Sequence, residues 1–259
     1  MVTLEDFIFP AQRKLFKALL RKYKDGAFYC KNSFILVKGV APVMLVAHLD
    51  TVHDEPVRDI CKTADGNILM SPQGIGGDDR CGCYAIASVY ELAEKKPWLL
   101  FTCDEETGGI GADMFCLCHA EGKLPAELDA LNFIVEVDRR GSNDAVYYDC
   151  ANPDFEDYVS SKGFVTAQGS FSDISRIAPE LGVAAVNVSS GYYHAHTLHE
   201  YINRKELELT VERVAEMVND AALPDAPAYE FIESLDSDDS RPFIALDCWD
   251  YDDFLPHLK

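Results

Sequence analysis

Basic residues are scarce in this sequence: its 259 residues include 23 lysines and arginines against 44 aspartates and glutamates, a formal net charge of −21. Such an excess of negative charge repels the phosphates of nucleic acid and of anionic membranes, so we expect neither as a partner. No stretch approaches the roughly 18 consecutive apolar residues of a membrane span. The first 20 residues lack the basic start and apolar run of a signal peptide. We therefore expect neither membrane insertion nor secretion.

A disulfide framework is not indicated either. The nine cysteines are an odd number and lie mostly within apolar segments, which favours reduced thiols in a cytoplasmic protein. The pairs Cys81-x-Cys83 and Cys116-x-Cys118 fall in predicted helices, where residues i and i+2 point in different directions. We interpret them as buried thiols rather than as a structural metal site.

What the sequence does contain is a series of short apolar runs that alternate with helical patterns. The runs that predict buried strands cover residues 43–47, 98–103, 133–137 and 183–188, with a further strand expected at 146–150. Helical spacing of apolar residues predicts helices within 3–24, 81–95, 111–120, 154–162 and 203–219. The alternation favours an α/β fold of three layers, a mostly parallel, doubly wound sheet with helices on both faces.

The composition changes near the C-terminal end. From Leu223 onward the chain is rich in Pro, Asp and Ser, with interspersed aromatic residues. We expect a single domain over residues 1–222 and an acidic tail over 223–259 that packs partly on the body.

Residues of the types that bind metals follow the ends of the predicted strands. They are His48, Asp78, the pair Glu105-Glu106, Asp138, and one histidine among His194, His196 and His199. The carboxyl ends of parallel strands meet at one edge of a sheet, where open α/β sheets place their ligands. Two histidines and three carboxylates suit a pair of zinc-like ions with one bridging carboxylate. The remaining glutamate could act as a general base, and Asp50 could orient the ring of His48.

Four motifs in this order resemble those of the co-catalytic zinc exopeptidases and deacylases, the superfamily that includes tripeptidase T, acetylornithine deacetylase and the zinc aminopeptidases. They are His48-Leu49-Asp50-Thr51-Val52, Gly77-Asp78-Asp79-Arg80-Cys81-Gly82, Asp104-Glu105-Glu106-Thr107-Gly108 and His196-Thr197-Leu198-His199-Glu200. The resemblance spans roughly residues 43–205. It implies that one metal is held by His48, Asp78 and Asp138, and the other by Asp78, Glu106 and His196. Glu105 would then be the general base, and Asp50 the residue behind His48.

Two of these assignments have competitors. Asp78 and Asp79 are adjacent, and we choose Asp78 as the bridge because the family's bridging aspartate sits two residues before a basic residue, here Arg80. Either aspartate could instead cap the helix that follows. Glu136 lies on the same strand face as Asp138, which we prefer because it stands at the end of the strand.

The chain departs from the family pattern in one respect. Many relatives carry a long inserted domain between the Asp138-type ligand and the final histidine, but here only 57 residues separate Asp138 from His196. We expect a compact single catalytic domain, and the class of substrate is in doubt because the inserted domain normally helps to recognise it. Candidates for binding a substrate terminus are Arg139, Arg140, Asp173, Tyr192 and Tyr193.

The leading hypothesis is a dinuclear zinc metallopeptidase, an aminopeptidase that acts on short peptides. A water bridging the two metals would attack the scissile carbonyl while Glu105 takes its proton. Zn²⁺ is the expected ion, with Co²⁺ or Mn²⁺ as alternatives. Two other hypotheses stay open: a deacylase of N-acyl amino acids with the same site, and a non-catalytic binding protein that the metals stabilise. The oligomeric state is not indicated.

Overall fold

The computed structural model describes residues 2–234 of the chain. The strands are β1 (Ala27–Cys30), β2 (Phe34–Val37), β3 (Val43–His48), β4 (Cys61–Lys62), β5 (Ile68–Met70), β6 (Trp98–Thr102), β7 (Phe133–Arg139), β8 (Asp144–Val146), β9 (Val165–Thr166), β10 (Ala185–Ser189), β11 (Tyr192–Tyr193) and β12 (Tyr201–Asn203). The α-helices are α1 (Glu5–Ile8), α2 (Gln12–Lys22), α3 (Gly77–Leu92), α4 (Ile110–Ala120), α5 (Pro153–Ser161), α6 (Ile174–Leu181) and α7 (Arg204–Ala221).

The main sheet has eight strands in the order β1-β2-β6-β3-β7-β10-β8-β9. Its four central strands, β6, β3, β7 and β10, run parallel to one another, while β2 and β8 pair with them in the antiparallel sense. Apolar clusters cover both faces, with α3 and α7 on one side and α4 and α6 on the other. The predicted three-layer, mostly parallel α/β fold is therefore confirmed.

Three local features differ from the sequence-based expectation, the first being that helix α6 was not predicted. The strand expected at 146–150 is β8, which lies earlier and ends at Val146. The chain turns away because Tyr148 adopts a left-handed backbone conformation with φ of 52°. A second sheet, ordered β11-β12-β5-β4, was not predicted. Its strands are only two or three residues long, too short for alternation of apolar and polar residues to be recognised.

Helix α3 packs very closely on strand β7. A Cβ atom added to Gly82 would lie 2.1 Å from the backbone oxygen of Val137, so only glycine allows this approach. The close contact brings the first residues of α3, where Asp78 and Asp79 have non-helical backbone angles, against the carboxyl end of β7. The fold thereby places the two aspartates beside Asp138.

The N-terminal segment makes hydrogen bonds to the first turn of α3 and to the loop after β6, at this edge of the sheet. The buried side chain of Arg80 donates to the backbone oxygens of Phe7 and Pro10, where α1 ends. Gln12, the first residue of α2, donates to Asp104 Oδ1 at 3.0 Å. The first turn of α3 and the loop after β6 are thus both hydrogen-bonded to the N-terminal segment.

Two further observations concern membrane-spanning helices and the cysteines. No helix among the described residues combines the length and apolar character needed to cross a membrane. The eight cysteines within residues 2–234 are free thiols, and burial raises the pKa of Cys81 and Cys83 in α3 well above the usual range. In that part of the chain neither cysteine pair joins a group of possible metal ligands.

Residues 229–232, which follow α7, pack against the rest of the domain through backbone hydrogen bonds. Tyr229 donates its backbone N–H to Asn132 O at 2.8 Å and accepts from Ala184 N at 2.9 Å. Phe231 N and Ile232 O make further backbone hydrogen bonds to the body. The Tyr229 ring packs among aromatic residues of α5 and β7. Residues 235–259, which include most of the tail, lie outside the described residues, and the division at residue 222 stays a prediction.

We predict that a chain ending after Ser234 melts close to the full chain, whereas one ending after Ala222 melts roughly 10 °C lower. The shorter chain loses four backbone hydrogen bonds of residues 229–232, worth about 1 kcal/mol each, and each kcal/mol shifts the melting temperature of a domain this size by about 2–4 °C. Calorimetry of the three chains tests this. Equal melting temperatures for both truncated chains would show that the segment contributes nothing to the folded unit.

Candidate metal centre

The side chain of Asp78 lies between two histidines from distant parts of the chain. Its Oδ1 is 3.2 Å from His48 Nε2, and its Oδ2 is 3.2 Å from His196 Nε2. His48 ends strand β3 and is fully buried, whereas His196 stands on the loop between β11 and β12 with about half of its side chain exposed. Asp78 therefore presents one oxygen toward each imidazole.

A second carboxylate accompanies each histidine. Asp138, near the end of β7, has its Oδ1 3.6 Å from His48 Nε2. Glu106, after β6, has its Oε2 3.1 Å from His196 Nε2. The resulting donor sets, His48 with Asp138 and His196 with Glu106, share Asp78. This is the arrangement that two neighbouring divalent cations with a bridging carboxylate require.

The adjacent Asp79 forms a different set of contacts. Its Oδ2 accepts from His48 N at 3.2 Å and its Oδ1 accepts from Gly82 N at 3.0 Å. Asp79 could also join His48 and Asp138 in a group of ligands on distance alone. Both of its oxygens already accept backbone hydrogen bonds, whereas the oxygens of Asp78 face the two histidines. The helix-capping interpretation applies to Asp79 instead.

Asp50 connects the ring of His48 to the glutamate pair. Its Oδ1 lies 3.3 Å from His48 Nδ1. The same carboxylate accepts from the backbone N–H groups of Glu105 at 3.2 Å and Glu106 at 3.0 Å. His48 Nδ1 makes no hydrogen bond among the described residues, so the contact with Asp50 is electrostatic. A carboxylate beside Nδ1 leaves Nε2 of the imidazole to face a cation, and the two backbone contacts fix the positions of Glu105 and Glu106.

Glu200 fixes the loop that carries Asp78, a role that the sequence analysis did not assign. The buried carboxylate accepts from Gly76 N and Asp78 N, both at 2.9 Å, and lies 2.9 Å from His53 Nε2. The only sequence signal was its position four residues after His196. Within this motif, His196 thus contacts the side chain of Asp78, and Glu200 contacts its backbone.

Asn187 in β10 holds the backbone of Asp138, and sequence reasoning also missed it. Its Oδ1 accepts from Asp138 N at 2.8 Å, and its Nδ2 donates to Asp138 O at 2.9 Å. The register of the β7–β10 ladder shifts immediately after Asn187, so a side chain replaces backbone pairing there. A polar residue within the apolar run of β10 was the available signal. Glu136, the competitor of Asp138, instead bonds to Ser172 at the start of α6.

Glu105 stands beside this donor cluster. Its Oε2 is 4.0 Å from His48 Nε2, and it lines a cavity of about 640 Å³ together with Asp78, Glu106, Asp138 and His196. Burial raises the pKa of Glu105 to about 9, with Asp138 adding repulsion and His48 opposing it. Cations bound nearby would lower that pKa, because positive charge favours the carboxylate form.

The remaining predicted contacts to substrate lie in three different environments. Arg139 lines the cavity and donates to Gln168 O at 3.0 Å. Tyr192 lines it too, and its hydroxyl donates to Asp138 Oδ1 at 3.2 Å. Asp173 is fully buried, accepts from the hydroxyl of Thr102, and is absent from the cavity lining.

The donor cluster fits cations on two grounds. Glu106 Oε1 is buried and has no hydrogen-bond donor among the described residues, so its lone pairs are open to another electrophile. Burial and repulsion from Asp78 raise the pKa of Asp138 to about 7. Carboxylates packed this closely are electrostatically unfavourable by themselves, and positive charge between them would relieve the repulsion.

The substitution Glu200→Gln should weaken metal binding. An amide NH₂ cannot accept a hydrogen bond, so the backbone N–H of either Gly76 or Asp78 loses its partner at a cost of about 1–3 kcal/mol. Loss of a group that orients a ligand typically lowers metal affinity by about 10–100-fold. Zinc competition titrations and urea unfolding measure the two effects. Glu212→Gln, at an exposed glutamate of α7, is the control. A variant with wild-type zinc affinity would contradict the assigned role.

Metal affinity should rise with pH between about 6 and 9. The hydrogen bond to Asp78, with the charge of Glu106, raises the pKa of His196 to about 9, and the pKa of Asp138 is raised to about 7. Each group must lose its proton to bind a cation, so protons compete below these values and are released on binding. Calorimetric titration of chelator-treated protein with Zn²⁺ at several pH values, in two buffers, gives affinity, proton release and stoichiometry.

The control for this titration uses the histidines of one loop. His196→Ala should remove the upper part of the pH dependence and lower the stoichiometry, whereas His199→Ala, at an exposed position, should change neither. A zinc affinity that is independent of pH in the wild type would contradict the participation of these groups.

Comparison with known proteins rests on structure alone, since the chain matches no family model and no curated protein. Aminopeptidase PepT from Bacillus cereus is similar to it with a TM-score of 0.62 and 14% identity, covering 85% of this chain and 96% of that one. A tripeptidase from Staphylococcus aureus has a TM-score of 0.61 at 14% identity, with the same coverage. The TET aminopeptidase from a marine-sediment Thaumarchaeota archaeon has 0.61 at 12%, covering 83% and 94%. The chain therefore has the fold of these peptidases, as its four ordered motifs imply.

Proposed function

We propose that this protein is a dinuclear metallopeptidase that cleaves short peptides, most closely an aminopeptidase, with Zn²⁺ as the ion and Co²⁺ or Mn²⁺ as alternatives. The observation that carries the proposal is Asp78 between His48 and His196, 3.2 Å from each. One carboxylate with an imidazole on each side suits two ions better than one. The fold shared with aminopeptidases is consistent with it.

In this proposal each residue has one task. His48 and Asp138 hold one ion, His196 and Glu106 hold the other, and Asp78 is shared between them. Bound there, the ions would supply Lewis acidity toward the substrate carbonyl and would lower the pKa of a nearby water. Asp50 keeps the His48 ring in place through the 3.3 Å contact with Nδ1.

Glu105 moves the proton. Its carboxylate takes the proton of the attacking water and delivers it to the nitrogen of the leaving amine. The position suits this task because Glu105 lies in the cavity, 4.0 Å from His48, while its own backbone is held by Asp50. Cations bound to the neighbouring residues would favour the unprotonated carboxylate of Glu105, which is the form that a base needs.

The same donors would serve a deacylase of N-acyl amino acids, because the scissile bond is an amide in both reactions. The two activities differ in the group on the acyl side of that bond. A non-catalytic role for the metals would not require a glutamate at the position of Glu105.

The substitution Glu105→Gln should lower kcat by about 10²–10⁴-fold while leaving metal content unchanged. The amide has nearly the same shape but cannot accept the proton of water. The assay follows release of amino acids from di- and tripeptides and from N-acetyl amino acids by the zinc-loaded full chain. Metal per chain is measured by elemental analysis on the same samples, and Glu212→Gln is the control.

The outcomes separate the hypotheses. Hydrolysis of peptides that is lost in Glu105→Gln supports the peptidase, and hydrolysis confined to N-acetyl amino acids supports the deacylase. Zinc-loaded wild-type protein that cleaves none of these substrates would contradict the proposed function and favour a binding role.

A further inference from the structure

A second cavity, of about 300 Å³, adjoins the metal centre through Asp50. Its walls come from the N-terminal segment at residues 8–13, from the loop at residues 50–57, from residues 74–76 before α3, and from Arg80. Within residues 2–234 it shares no lining residue with the cavity that contains Glu105. A ligand bound in it would therefore leave the catalytic cavity free.

Arg80 brings a buried positive charge to this second cavity. Its side chain is 4% exposed, and its only hydrogen bonds to other described residues run from Nη1 to the carbonyl oxygens of Phe7 and Pro10. Burial lowers the pKa of Arg80, and the charges of Asp50 and Asp79 oppose this shift without forming an ion pair with it. A buried charge without a counter-ion is unfavourable, so an anion beside this guanidinium would be stabilised.

The free edge of the Arg80 guanidinium is the edge that suits an oxyanion. In an arginine, Nε and Nη2 lie side by side and can donate two parallel hydrogen bonds to the two oxygens of one carboxylate. In Arg80 the Nε is buried without a hydrogen-bond partner in the described part of the chain. Only Nη1 is used by the N-terminal segment, which leaves the Nε–Nη2 edge for a ligand.

The N-terminus of helix α2 adds positive potential at the same place. Ala11 is the N-cap residue and has no side chain that could accept from the first turn, and both Ala11 and Gln12 line the cavity. The uncapped N–H groups and the helix dipole favour an anion there. Arg13 also lines the cavity, is exposed, and has no ion pair or hydrogen bond from its side chain within residues 2–234.

The loop at residues 50–57 contributes carboxylates to the lining, and two of them are already engaged. Both oxygens of Asp50 accept backbone hydrogen bonds, and Glu55 lies 2.6 Å from Arg58. The third, Asp54, is exposed and has no side-chain partner among the described residues. An ammonium group on the ligand would find its counter-ion in Asp54.

We propose that this cavity binds the carboxylate of a small organic acid through the Nε–Nη2 edge of Arg80 and the N-terminus of α2, with Arg13 adding charge on the solvent side. Apolar residues of the lining, Ile8, Val57 and Ile75, suit a short aliphatic part of the ligand. The carboxylate belongs to a free amino acid if Asp54 takes part, and to a simple aliphatic acid if it does not. This site is separate from the proposed hydrolysis.

The test titrates zinc-loaded full-length protein with propionate, alanine, propionamide and chloride, starting from a chloride-free buffer, and follows binding by calorimetry. Propionate or alanine should bind in a saturable way and about 10-fold or more tightly than neutral propionamide, the size expected for hydrogen bonds to a charged group. Tighter binding of alanine than of propionate identifies the ligand as an amino acid, and the reverse order identifies a simple acid.

Variants locate the binding site. Arg80→Lys keeps the charge and a donor for the carbonyl oxygens but removes the parallel pair of donors, so it should weaken binding of the acid by about 10-fold or more. Urea unfolding of the same sample shows whether the variant is folded. A carboxylate that coordinates the metal ions instead would bind equally well to the variant and to the wild type.

A second pair of variants leaves the core intact. Arg13→Gln removes an exposed charge from the cavity and should weaken binding of the acid by about 2–5-fold. Arg21→Gln removes the same charge from the other end of α2, outside the cavity lining, and should keep the wild-type affinity. If Arg80→Lys does not fold, this pair decides the matter.

Three results would overturn the proposal: equal affinity for propionate, alanine and propionamide; equal affinity for chloride and the acids; or an affinity for the acids that neither Arg80→Lys nor Arg13→Gln changes. None of them bears on the proposed hydrolase function, because neither variant alters a residue that lines the catalytic cavity.

Discussion

The arrangement of this site depends on the contacts that the carboxylate of Asp78 makes. It faces a buried histidine from the central strand β3 on one side and a half-exposed histidine from a distant loop on the other. The two histidines are far apart in the sequence. Glu200 accepts a hydrogen bond from the backbone of Asp78, and the close packing of Gly82 on β7 fixes the same segment. If Asp78 were displaced, the two donor sets would no longer share a member. The main purpose of the surrounding hydrogen bonds is therefore positional.

The supporting contacts share one feature, a polar side chain that holds a residue of the site. Three of the proposed ligands have a polar partner in the sheet or in a loop beside it: Asp50 beside His48, Asn187 beside Asp138 and Glu200 beside Asp78. These partners use backbone groups that the ends of strands leave unpaired, since the ladder cannot continue where the loops begin. The loops that carry the functional side chains are thereby fixed on a rigid sheet, which is the condition for a precise metal site.

Electrostatics explains why such a site needs cations. Carboxyl groups crowded in a buried cluster repel one another, and the pKa values of Asp138, Glu105 and Glu106 are all raised, first by burial. Two divalent ions would reverse this effect and leave the base ionised near neutral pH.

The sequence by itself determined the four central strands β3, β6, β7 and β10, most of the helices that alternate with them, and the residue types at the strand ends. Runs of apolar residues in β3, β6, β7 and β10 are long enough to be recognised, and parallel strands bring their carboxyl ends to one edge whatever the details of the loops. It could not separate Asp78 from Asp79 without a family resemblance, because adjacent residues are equivalent until the backbone fixes which side chain faces which atom. The tertiary structure alone decided that Asp79 accepts backbone hydrogen bonds and that Glu200 and Asn187 hold the backbone of Asp78 and Asp138. Those distinctions depend on contacts between residues far apart in the chain, which no local pattern records.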